Sequence, residues 1–135
     1  MKDYNIHISE EYTNLGYKVI RRFKEFADLK EFGVQIAFLS SEEEKHSKGR
    51  NVCAECMKVK KEYSWCCPFD FLIIVYEPNI VGFTDKQMMI LMRHELKHIG
   101  VNTNGEEPTF EIVPHDVEDF RSILKTYGID WNRSD

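Results

Sequence analysis

From Phe69 to Tyr76 the chain reads Phe-Asp-Phe-Leu-Ile-Ile-Val-Tyr, apolar on both faces of an extended strand apart from Asp70. Such a run reads as the central strand of a sheet, because a half-solvated strand alternates apolar with polar residues. Phe71–Tyr76 is the longest apolar stretch and has a strand's length. No segment approaches the roughly 18–20 apolar residues that span a bilayer. Glu77-Pro78-Asn79 ends the run. A chain built around it must supply partner strands and packed layers.

The rest of the sequence offers both. Ser9 caps a helix whose first turn carries Glu10 and Glu11, suited to its positive end. Tyr12, Leu15, Val19, Phe23 and Phe26 recur at helical spacing until Gly33 stops the pattern. Val34, Ile36 and Phe38 then alternate as a strand with one buried face. Residues 41–50 read as a polar loop, and Met57–Tyr63 as an edge strand or hairpin arm. A second helix opens with a capping box of Thr84 and Gln87, stapled by Phe83 and Met88. Met88, Leu91, Met92 and Ile99 form its core-facing stripe, and Gly100 fits its C′ position. Residues 101–108 read as loop and Thr109–Val113 as a short strand. Pro114 opens a last helix, with Val117, Phe120, Ile123 and Tyr127 on one face and Gly128 at its end. The expectation is an α+β fold, a small, mostly antiparallel sheet packed by helices. With 135 residues and no internal repeat or linker, it forms one domain over residues 1–135.

Charge and cysteine usage narrow the function. The formal charge of −5 disfavours a broad nucleic-acid surface, and the lysines of residues 58–61, flanked by glutamates, read as a solvated face. The N-terminus has no apolar signal segment, so the expected location is cytoplasmic, with no membrane partner. In that reducing compartment, cysteines at 53, 56, 66 and 67 suggest metal or redox chemistry more than a disulfide framework.

Residues 94–98 read His-Glu-Leu-Lys-His within the second helix. A spacing of four puts His94 and His98 one turn apart on one face, where both imidazoles reach a single tetrahedral Zn²⁺. Glu95 projects about 100° around the helix, beside the ion. Its carboxylate is placed to take a proton from the attacking water and pass it to the leaving amine. Two unpaired histidines and a carboxylate would be costly on a helix apolar enough to be buried, which argues against coincidence.

The third ligand must come from another element. His115, at the start of the last helix, is the preferred candidate, and Glu118, three residues on, is its rival. His7 and His46 read as solvent-exposed, and Asp116 and Asp119 as acids complementing the helix dipole.

These residues carry a resemblance. His94-Glu-Leu-Lys-His-Ile99, Pro114-His-Asp-Val-Glu-Asp-Phe120 and Tyr127-Gly128, with Pro68-Phe-Asp-Phe71 upstream, resemble the phage metallopeptidase family over roughly residues 66–131. More distantly, the chain is similar to SprT-like metallopeptidases. The resemblance implies a minimal zincin-like domain acting on a peptide or protein substrate. Its ligands would be His94, His98 and His115, with Glu95 as the catalytic base.

A second, structural zinc has a candidate set in Cys53, Cys56 and one of Cys66 or Cys67, completed by His46 or another group. The competing readings are a redox pair or buried thiols acting as small hydrophobes. Two rivals to a peptidase remain: a zinc-stabilised binding module without turnover, and a zinc amidase acting on small molecules.

Overall fold

The computed structural model describes residues 5–114. Its elements follow in the order β1 (Ile6–Ile8), α1 (Glu10–Arg22), a 3₁₀ turn (Lys24–Phe26), α2 (Ala27–Glu31), β2 (Ile36–Ser41), β3 (His46–Ser47), β4 (Arg50–Asn51) and β5 (Ala54–Lys58). A 3₁₀ turn (Lys61–Tyr63) leads to β6 (Phe71–Tyr76), then a 3₁₀ turn (Glu77–Asn79), α3 (Asp85–Leu96), β7 (Ile99–Asn102) and β8 (Thr109–Ile112).

The apolar run becomes β6, an inner strand of a four-stranded sheet of order β1-β2-β6-β5. β1 and β5 pair antiparallel with their neighbours, whereas β2 and β6 run parallel, with Ile36 opposite Phe71 and Ser41 opposite Tyr76. The sheet is therefore mostly antiparallel around one parallel pair, and the fold is α+β as expected. The pleat sends Phe71, Ile73 and Val75 of β6, with Ile36 and Phe38 of β2, into a core shared with Tyr12, Val19 and Ile20 of α1 and Leu91, Met92 and Leu96 of α3. Ile74 and Tyr76 on the opposite face are buried too, so the strand is covered on both sides. Each such side chain contributes about 1.5–3 kcal/mol by leaving water.

α1 begins as its sequence dictates: the Ser9 hydroxyl accepts the Tyr12 N–H at 3.1 Å. It does not run on to Gly33. Phe23 is extended (φ −107°, ψ 122°), and the helical spacing resumes only in the 3₁₀ turn and α2. Tertiary contacts account for the break: the Arg93 guanidinium lies 4.2 Å over the Phe23 ring, and Glu25 pairs with Arg93 and Lys97. Phe26 and Leu29 still reach the core.

α3 carries the expected capping box, with Thr84 Oγ1 accepting from Gln87 N and Gln87 Oε1 from Thr84 N. Phe83 and Met88 both pack against the core, as a staple requires. The helix stops earlier than its apolar stripe suggests. Leu96 is its last residue, and Ile99 and Gly100 belong to β7, which also takes Val101 and Asn102 from the expected loop. Gly100 is thus not a helix C′ residue. Thr109–Ile112 forms the expected short strand, β8, antiparallel to β7.

Two further expectations need correction. The polar stretch 41–50 holds the β3–β4 hairpin, whose Lys48 and Gly49 have φ of 53° and 75°. Asn79 Nδ2 fastens that excursion to the end of β6 by donating to the Lys45 and Val52 carbonyls, both at 2.8 Å. The edge strand is Ala54–Lys58, so only Met57 and Lys58 of the predicted arm belong to it. The expected last helix, with Val117, Phe120, Ile123, Tyr127 and Gly128, falls on residues outside those described, as do His115 and Glu118. No described helix is long and apolar enough to cross a membrane.

Candidate metal centre

The final turn of α3 brings the chemistry together. His94, Glu95 and His98 each offer a ligand atom, and these atoms all lie within 4.8 Å of one another. His94 Nε2 is 3.9 Å from Glu95 Oε2, with side chains 11% and 7% exposed. The two imidazole rings lie 5.4 Å apart, at 74° to one another. His98 itself sits just past the helix. Lys97 keeps a helical backbone (φ −69°, ψ −14°), and His98 N–H reaches back to the Glu95 carbonyl at 3.1 Å. That extra turn preserves the one-face spacing after the helix proper has ended.

His98 is oriented by the β7–β8 hairpin. Its Nδ1 lies 2.8 Å from the Val113 carbonyl oxygen, and Val113 N–H donates to the His98 carbonyl at 2.6 Å. A carbonyl only accepts, so Nδ1 carries the proton and Nε2 keeps its lone pair for a metal. The other side of the α3 terminus is tied down by Glu25, which accepts from Arg93 Nε at 2.5 Å and Lys97 Nζ at 3.1 Å. The residues immediately before both histidines are therefore held by one carboxylate.

Among the described residues, the cysteines do not come together as a group of three potential metal ligands. All four are free thiols, and among the described residues the one group of three potential ligands is His94, Glu95 and His98. The Cys53 thiol points to the Asn79 carbonyl, while those of Cys66 and Cys67 point to the carbonyls of Tyr63 and Phe69. Burial, then the nearby Glu95 charge, pushes the Cys53 and Cys56 thiols above the ordinary cysteine range. Cys53 and Cys56 pack against the core, as the small-hydrophobe reading requires. His46 and His7 are exposed as expected, and His46 lies 3.5 Å from Glu44.

Sequence reasoning missed three contributors: the Val113 carbonyl, the Glu25 anchor, and the nearness of Cys53 and Cys56 to Glu95. Nothing in sequence spacing signals a main-chain acceptor or an ion pair spanning 68 residues. The Cys-x-x-Cys spacing did mark its two residues, though for ligation.

Two imidazoles on one turn suit a borderline metal such as zinc, with further positions left for another element and for substrate. A family model described as Putative phage metallopeptidase matches residues 4–134. The chain belongs to this family. No curated protein and no solved structure matches it. The phage metallopeptidase match takes in α1 and the whole described sheet as well as the His-Glu-x-x-His segment. The family description names a metallopeptidase activity only as putative.

Proposed function

We propose that the protein is a zinc-dependent metallopeptidase in which His94, His98 and His115 hold the metal and Glu95 is the general base. The observation that carries this reading is the convergence of His94, Glu95 and His98 ligand atoms within 4.8 Å in a chain of this family. His115 is favoured as third ligand because Val113 is bonded to His98 through both its N–H and its carbonyl. His115 follows Val113 by two residues, which span about 7 Å at most. Glu118 starts three residues further along the chain.

Bound zinc supplies positive charge that polarises a peptide carbonyl and acidifies the attacking water. Glu95, shielded and adjacent to His94 Nε2, accepts the proton from that water and returns it to the departing amine nitrogen. With Nδ1–H bonded to the Val113 carbonyl, His98 would offer its Nε2 to the metal.

The test is zinc content and hydrolysis of unfolded protein substrates, before and after chelation. One zinc per chain is expected, with activity lost on chelation and regained on adding zinc. Both zinc and activity should fall in His94→Ala and His115→Ala. Full zinc retention in His115→Ala with loss in Glu118→Gln would reassign the third ligand, and no zinc in the wild type would overturn the proposal.

A further inference from the structure

Gly100 has no conformational reason to be glycine. It is not among the glycines with positive φ, which are Gly33, Gly49 and Gly82. It lies in β7 opposite Glu111 of β8, a register position that any residue adopts. What singles it out is space: a Cβ there would lie 2.6 Å from Val113 Cγ2 and 3.2 Å from Glu111 Cγ. The Glu111 side chain is flexible and can yield. Val113 is β-branched, which restricts its χ1, so its methyl swings aside only at a cost.

We propose that Gly100 is a positioning residue for the metal centre, its missing side chain letting Val113 close on His98. The close approach at Gly100 and the two bonds from Val113 to His98 are parts of one geometry. A side chain at position 100 pushes Val113 away, lengthening both the 2.6 Å main-chain bond and the 2.8 Å contact to Nδ1. His98 then loses the acceptor that selects its Nδ1–H form, and the chain leading to residue 115 shifts with Val113. Loss of a single partner orienting a metal-bound imidazole weakens metal affinity by about 10–100-fold. The inference rests on the metallopeptidase reading for its consequence, though not for its geometry.

The steric origin makes it separable by a compensating change. Zinc affinity is measured by competition with a chelating dye for wild type, Gly100→Ala, Val113→Ala and the double variant, alongside thermal melts of the metal-free proteins. Gly100→Ala should bind zinc about 10–100-fold more weakly. Val113→Ala removes the colliding methyl and keeps the carbonyl, so it serves as the background in which a Cβ at position 100 meets no methyl: the double variant should bind zinc about as tightly as Val113→Ala alone, and more tightly than Gly100→Ala. A merely structural glycine would lower the melting temperature without moving the affinity, and that result overturns the proposal. So does a double variant that melts like wild type yet binds no better than Gly100→Ala. Should Gly100→Ala fail to fold, long-range ¹⁵N–¹H NMR of the metal-free wild type still decides: His98 protonated at Nδ1 supports the clamp, and protonation at Nε2 sinks it. Failure of the wild type to bind zinc would instead refute the metallopeptidase reading and leave the NMR result standing.

Discussion

Replacing Glu25 by Gln keeps the side chain's size and removes the charge that holds Arg93 and Lys97. The three side chains are 25%, 10% and 18% exposed, so the network is neither surface nor core. Exposed pairs are worth about 0–1 kcal/mol, and removing one partner from a buried pair costs about 3–5 kcal/mol. The intermediate burial here points to about 2 kcal/mol. For a chain of this size that corresponds to a melting temperature lower by about 6–8 °C. The pH dependence gives an independent check. Burial pushes the Glu25 carboxyl up, but the bonds and charges of Arg93 and Lys97 outweigh it and hold the group below its ordinary value. A carboxyl depressed in the folded state stabilises above its unfolded pKa and loses that contribution as pH falls through the folded one. Denaturant melts should therefore show Glu25→Gln well below wild type at neutral pH, with the gap closing as pH drops below about 4. Variants within about 0.5 kcal/mol of each other at neutral pH would refute the network's importance. A gap that stays constant down to about pH 3 would refute its electrostatic origin.

Two more perturbations probe packing and burial elsewhere in the fold. Gly16→Ala adds a Cβ 2.3 Å from two atoms of the fully buried Phe38 ring. It should destabilise by about 1–3 kcal/mol in denaturant melts despite the better helix former, and a stabilised variant would contradict the close α1–β2 contact. The Cys66 thiol is exposed, whereas burial, reinforced by the Glu95 charge, pushes the Cys56 thiol far up. A thiol reagent should therefore label Cys66 promptly and Cys56 only on unfolding, and prompt labelling that persists in Cys66→Ser but vanishes in Cys56→Ser would show the reverse.

The legible parts of the chain were those set by local signals. β6 was readable because no half-solvated strand is apolar on both faces, and the start of α3 because Thr84 and Gln87 satisfy each other's backbone within one turn. The His94–Glu95–His98 constellation was readable for the same reason, since one turn of backbone spaces it. What escaped was set by distant partners. Phe23 continues the helical periodicity of α1 but is held extended beneath Arg93, a residue of α3. Gly100 looks like a helix terminator until Val113 is seen against it. The Cys-x-x-Cys pair suggested ligation, yet Cys66 and Cys67 bond toward carbonyls before β6 while Cys53 lies at that strand's other end.

The central claim is that Glu95 moves the proton while His94 and His98 hold the metal, and Glu95→Gln tests it most directly. Glutamine keeps the size and hydrogen-bonding capacity of the side chain but cannot accept the proton. Zinc per chain and hydrolysis of unfolded protein substrates are measured side by side in wild type and variant. The account predicts equal zinc content and turnover lower by about 10²–10⁴-fold in Glu95→Gln. Equal turnover at equal zinc content would contradict it.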